Sequence, residues 1–186
     1  MNTIITHKTR TELEAALDTI RDSPREQGVL HMIVRRPKIG AREVLSEGQL
    51  DLVQGLVGDT WRLRKSKRTA DGTPHPEMQI NIMGARVAQL VANDPSRWPL
   101  AGDQLFVDMD LSGANLPAGT RLAIGSALLE VTAQPHTGCG KFVERFGLDA
   151  MQFVNSPVGR ELNLRGINAK VVQPGTIRVG DIVQKL

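Results

Sequence analysis

The densest chemistry in the sequence lies in Gln134-Pro135-His136-Thr137-Gly138-Cys139-Gly140-Lys141-Phe142, which brings a thiol, an imidazole and an amine within six residues. Cys139 is the only cysteine in the chain. A thiol attacks electrophiles and ligates metals as the thiolate. Phe142, Val143 and Phe146 fall on one face of a short helix that Gly147 ends, so Cys139 is predicted at the helix start. Unpaired backbone N–H groups and the positive end of the dipole favour an anion there. Gly138 and Gly140 allow a ligand to approach the backbone closely. Residue types alone leave alternatives open: a small buried hydrophobe for Cys139 and a turn histidine for His136. A zinc site using the two has no recognised ligand spacing. One cysteine also excludes an intrachain disulfide and an all-cysteine metal site.

A second cluster is electrostatic. Arg62-Leu63-Arg64-Lys65-Ser66-Lys67-Arg68 holds five basic residues and no acid. Of the chain's 23 Lys and Arg, removing these five leaves 18 against 20 acids, so the net charge of +3 is local. Such a segment attracts a phosphate or another anion, or it is a solvated loop. Nucleic acid fits poorly: the chain has no Tyr, four Phe and two Trp, and none interleaves with the basic run. Asp59, Asp103 and Asp181 each follow a glycine, where turn capping is the plain account, favoured for Asp181. No nucleophile elbow, P-loop, dinucleotide fingerprint or HExxH motif is present.

Short strands with turns between them must position these groups. A helix is predicted over 11–22, with Thr11 and Glu14 as capping box, ahead of the first strand at Val29–Val34. Residues 39–54 read as strand then loop, with Val44 and Leu45 as core, and 62–77 as one long polar connection. A strand at 79–82 and a helix at 83–93 follow, the latter turning Val87, Leu90 and Val91 inward. Leu105, Val107 and Met109 alternate as a strand. Residues 121–132 read as a hairpin with a type II′ turn at Gly125-Ser126. Residues 167–179 read as a second hairpin around Gln173-Pro174-Gly175, and Ile182 and Val183 sit in a last strand. The fold class is mostly β, a barrel or sandwich with a few short helices.

The 186 residues suit one domain with a small addition: an N-terminal helical extension over 1–28 and the main domain over 29–186. No apolar run approaches the roughly 20 residues that span a bilayer. The first residues, Met1 to His7, lack a basic region followed by an apolar stretch, so a cytoplasmic protein is expected, with no membrane partner. The oligomeric state stays open, a homodimer included.

From about residue 33 to 184 the chain resembles the MOSC family, the module at the C-terminus of molybdenum-cofactor sulfurases that also occurs as a stand-alone bacterial protein. The resemblance is strongest through Leu128-Leu129-Glu130-Val131-Thr132, Pro135, Cys139-Gly140-Lys141-Phe142 and Arg145-Phe146-Gly147. A second block runs from Leu164-Arg165-Gly166 through Val172, with Pro174-Gly175-Thr176-Ile177 and Gly180-Asp181. Gly58-Asp59 and Gly102-Asp103-Gln104-Leu105 resemble two further family turns. The resemblance implies a β-barrel of the MOSC, pyruvate-kinase-barrel-like type that holds a molybdenum cofactor, a phosphate-bearing pterin; pyridoxal phosphate binding is also associated with the family. It makes Cys139 a molybdenum ligand or sulfur carrier. It makes Arg62, Arg64, Lys65, Asp59, Asp103, Gln104, His136, Lys141 and Arg165 cofactor contacts. It implies an oxidoreductase acting on N-hydroxylated small molecules with a separate electron-donor protein, or a carrier of sulfur or cofactor served by a sulfur donor. A non-catalytic binder of a phosphorylated small molecule is the third expectation. The chain departs from the family at Gln104, at Thr60-Trp61 and at Gly138, where Asn, a basic residue and Pro are more usual.

Overall fold

The computed structural model describes residues 6–186; the reading drawn from the first residues lies, for 1–5, outside them. The chain enters through two short helices, α1 (Arg10–Ala15) and α2 (Leu17–Arg21). The capping box is Thr9 with Glu12, not Thr11 with Glu14. Thr-x-x-Glu occurs in both frames; Glu14 is drawn instead to Arg10, four residues back. The pattern read as one helix breaks at Ala16, which ends α1 and begins α2. Leu13 is fully buried.

In chain order the strands are β1 (Gln27–Arg35), β2 (Glu43–Leu45), β3 (Glu47–Asp51), β4 (Gly55–Leu56), β5 (Ile80–Gly84), β6 (Leu105–Asp108), β7 (Arg121–Ile124), β8 (Ala127–Val131), β9 (Ile167–Gln173), β10 (Gly175–Arg178) and β11 (Ile182–Lys185). Seven of them close a barrel in the order β11-β7-β8-β9-β5-β6-β1, with β1 paired back to β11. Among the described residues only the β5–β6 pairing is parallel; its crossover carries α3 (Ala85–Ala92), as a parallel pair requires. The remaining helices, α4 (Gly140–Phe146), α5 (Leu148–Val154) and α6 (Pro157–Glu161), fill the connection from β8 to β9. This is the mostly-β barrel with a few short helices expected from the sequence.

The turn at Gly125-Ser126 has φ of 55° at the glycine, and β7 pairs with β8 as a hairpin. The second hairpin does not form. β9 pairs with β8 and β5, whereas β10 leaves the barrel and pairs with β3 in a separate three-stranded sheet with β4. The Pro-Gly signal is a real bend, but it redirects the chain rather than folding it back. Val44 is also corrected: it is 60% exposed, because β2 lies outside the closed ring on β1 and only its neighbour Leu45 turns towards the core.

Two apolar layers hold the barrel. Leu30, Ile33, Ile82, Leu105, Val107, Leu129, Ala169 and Val183 fill its interior. Val34, Met83, Phe106, Phe142, Phe146 and Phe153 face outward under the helices, with Leu13 and Trp98. Leu105, Phe106 and Val107 of β6 therefore face opposite layers in turn, and all three are buried. Their polar neighbours are pinned where β1 ends and β6 and β9 begin, and the candidate site is built there. No helix among the described residues is long and apolar enough to cross a membrane.

Candidate functional site

Asp103, just before β6, is completely buried. One carboxylate oxygen accepts from Arg165 Nη1 at 2.7 Å and the other lies 2.8 Å from His136 Nε2. Burial alone pushes the carboxyl up, but Arg165 and His136 together outweigh it and bring its pKa to about 2. Arg165 is held further by Ala101 O at 2.9 Å and lies over the Phe142 ring at 5.2 Å. Its Nε is buried with no hydrogen-bond partner among the described residues. Gly166 makes this approach possible: its φ is 110°, and a Cβ there would meet Ile82 O at 2.3 Å.

His136 is shifted below its ordinary 6.5, first by burial and then by Arg165, against the opposing pull of Asp103. Both members of the pair thus bind protons less readily in the folded chain than in the unfolded one. Stability is therefore complete above about pH 6.5, falls below it as the unfolded chain takes up the histidine proton, and falls again from about pH 4 towards pH 2 as Asp103 follows. Urea midpoints measured across this range are expected to decline with acid, and His136→Gln is expected to flatten the limb just below pH 6.5.

A second buried pair lies alongside. Arg36, where β1 ends, is 3% exposed and grips both oxygens of Asp59 at 2.7 and 2.8 Å. Asp59 also accepts from the Arg36 and Trp61 backbone N–H groups. Arg36 Nη1 reaches Gly102 O at 2.8 Å and Asn81 Oδ1 at 3.3 Å, and Asn81 in turn donates to Asn168 Oδ1 at 2.6 Å. One polar network therefore ties the ends of β1, β5, β6 and β9 together.

Beside this network opens a cavity of about 200 Å³ lined by Arg36, Trp61, Arg64, Lys65, Ser66, Pro74, His75, Met78, Asn81 and His136. Its walls carry three permanent cations and no acid. Arg64 as a residue is exposed, yet desolvation and then the nearby Arg36 lower its guanidinium to about 10. The only hydrogen bonds of its guanidinium among the described residues go to Thr60 Oγ1. A cationic wall of this kind, with its charges repelling one another, is suited to an anion.

The sequence-predicted residues divide accordingly. Arg64, Lys65 and His136 come together in the cavity wall. Asp103 and Arg165 lie behind His136, and Asp59 behind Arg36; all three carry and orient other side chains. Gln104 is fully buried, accepting from Asn81 N and donating to Gln79 O, so it stitches β5 to β6. Arg62 and Lys141 are exposed and line none of these walls. Cys139 is exposed as the N-cap of α4, and its side chain takes no part in the cap. Its loop is fixed by Asn155, which accepts from Gly138 N at 2.9 Å and donates to Gly138 O at 3.1 Å. Arg36, Asn81 and Trp61 were not foreseen. Arg36 was visible only as an arginine before a proline at the end of a strand, which names no partner.

A family model described as MOSC domain matches residues 85–184, more than half of the chain. The chain belongs to the MOSC domain family. The match contains Asp103, His136, Cys139 and Arg165; Arg36, Asp59, Arg64 and Lys65 fall before it, so this MOSC chain completes its cationic wall from outside the matched segment. Among solved structures, the chain is similar to the YuaD protein from Bacillus subtilis (19% identity, TM-score 0.61, covering 86% of this chain and 95% of that one). It is also similar to YiiM from Escherichia coli (19%, 0.54, 85% and 69%) and to YiiM from Geobacillus stearothermophilus (12%, 0.52, 88% and 74%). At these identities the likeness speaks for the fold alone. No curated protein matches the sequence significantly.

Proposed function

We propose that this MOSC protein holds a molybdenum-bearing pterin by its phosphate in the cationic cavity, takes Cys139 as the protein ligand to the metal, and reduces small N-hydroxylated compounds with electrons from a separate donor protein. The observation that carries this reading is the cavity wall of Arg36, Arg64 and Lys65 with no acid among its residues, joined through His136 to the loop that bears Cys139. The residues present fit such a group. Arg64 and Lys65 have no carboxylate partner within 4.0 Å among the described residues, so a phosphate would supply the missing counter-charge. Trp61 and Met78 offer flat and apolar surface in the same wall. No group of three or more His, Cys, Asp or Glu among the described residues could hold a metal unaided, so a metal here would arrive on an organic carrier with one thiolate added.

Such a cofactor, when bound, supplies two-electron oxygen-transfer chemistry. The chain's own part is to hold the phosphate with Arg64 and Lys65, to keep Arg36 aimed through Asp59, and to present Cys139 on a loop braced by Asn155. The overall reaction converts N–OH to N–H and water, consuming two electrons from the donor and two protons from solvent.

The test is metal and pterin analysis of protein purified from a host that makes the cofactor, beside the double variant Arg64→Ala, Lys65→Ala. Wild-type protein is expected to retain both. The variant is expected to lose about tenfold or more in cofactor occupancy, since two charge-assisted contacts are removed. A phosphorylated ligand without molybdenum would replace this reading with a non-catalytic binder.

One observation favours a second reading. Cys139 is exposed, hence reachable by another protein, which suits a sulfur carrier. Persulfide labelling that disappears in Cys139→Ala, on protein free of molybdenum, would decide for it.

A further inference from the structure

His136 borders three cavities: the cationic one of about 200 Å³, one of about 280 Å³ against Val154, Asn155 and Arg160, and one of about 250 Å³ against Leu116, Pro117 and Gly166. It is the only titratable side chain common to all three. Its orientation is fixed from behind. Asp103, already holding Arg165, is ionised and can only accept, so the hydrogen of the neutral ring sits on Nε2 and points at the carboxylate. Nδ1 then carries the lone pair, and it makes no hydrogen bond among the described residues. An oriented imidazole with one nitrogen tied to a buried carboxylate and the other unoccupied is a proton-handling arrangement.

We propose that His136 is the proton carrier of this site, taking protons at Nδ1 from hydronium in the solvent of one cavity and delivering them to a substrate bound in another. The proposal rests on the reductive reading above, which consumes two protons at each turnover. In the first step an O–H bond of hydronium breaks and an N–H bond forms at Nδ1, leaving water and an imidazolium whose charge Asp103 balances. In the second that N–H bond breaks as an O–H bond forms on the departing oxygen of the substrate, and the ring returns to neutral. The electrons come from the donor protein and the ring keeps none. The charged groups facing the ring are Asp103 before β6, Arg165 before β9 and Arg36 where β1 ends; Arg64, Lys65 and His75 share the cationic wall, and Arg160 of α6 shares the cavity of about 280 Å³. Burial and the arginines disfavour the imidazolium while Asp103 favours it. The outcome is a ring that rests neutral and gives up its proton readily.

Two measurements on the full chain test this. Nitrogen-15 NMR of the histidine rings needs no cofactor. The His136 ring is expected as the Nε2–H tautomer with a bare Nδ1 at neutral pH, and Asp103→Asn is expected to lose that preference. An Nδ1–H tautomer in the wild type would overturn the proposal. The second is turnover of molybdenum-loaded protein, with chemically reduced viologen as electron source and hydroxyurea as N-hydroxylated probe. His136→Gln keeps a donor towards Asp103 but cannot titrate. It is expected to lose about 100-fold in turnover, with molybdenum content held and partial rescue by added imidazole. Undiminished turnover, or a loss that merely tracks lost cofactor, would also overturn it. Wild-type protein that shows the Nε2–H tautomer but no molybdenum would instead count against the reductive reading itself.

Discussion

Asp103→Ala is expected to destabilise the fold by about 3–5 kcal/mol, the cost of leaving a buried charge without its partner. Asp103 is completely buried and, among the described residues, is the only carboxylate that Arg165 or His136 touches. Its removal leaves the guanidinium with Ala101 O but no counter-charge, and Nε already lacks a partner among the described residues. The loss is a large share of the roughly 5–15 kcal/mol by which domains are stable. Urea midpoints of the variant and the wild type measure it. Glu144→Ala, at an exposed position of α4, is the control and is expected to stay within about 0.5 kcal/mol. Because the cost lies in the unpaired cation, Asp103→Ala combined with Arg165→Met should recover part of it. A fully additive double variant would mean that the pair is not coupled as its 2.7 Å separation indicates.

Cys139→Ala is expected to separate function from folding in the opposite sense. The side chain is exposed and caps nothing, so the urea midpoint should not move. Turnover with the viologen and hydroxyurea pair should fall about a thousandfold or more, a barrier increase of about 4 kcal/mol. Pterin phosphate should be partly retained, because Arg64 and Lys65 remain in place. A variant that keeps wild-type turnover would remove Cys139 from the chemistry.

The sequence disclosed what is written locally. The loop from Gln134 to Phe142 could be read from its Pro and Gly residues and from the spacing of Phe142, Val143 and Phe146, and it holds Cys139 at the start of α4 as expected. The α3 face could be read from its period, with Val87, Leu90 and Val91 buried. What failed was pairing between distant segments. Arg36 meets Asp59 across 23 residues and Arg165 meets Asp103 across 62, and neither contact leaves a repeating pattern in the chain. Barrel closure by β1 and β11 is equally silent. The Gln173-Pro174-Gly175 signal was genuine but ambiguous: a turn residue fixes where the chain bends, whereas the partner of the next strand is fixed by which edge is open, here β3. The basic run gave the right charge and only part of the geometry, since Arg64 and Lys65 reach the cavity and Arg62 does not.

On the function proposed above, the cationic cavity and Cys139 together hold a molybdenum-bearing pterin. The most direct measurement is molybdenum quantification in protein purified from a cofactor-competent host, with Cys139→Ala prepared in parallel. Near-stoichiometric molybdenum is expected in the wild type and a clear loss of metal in the variant. Background molybdenum in a folded wild-type protein, or equal metal in the two, would contradict it.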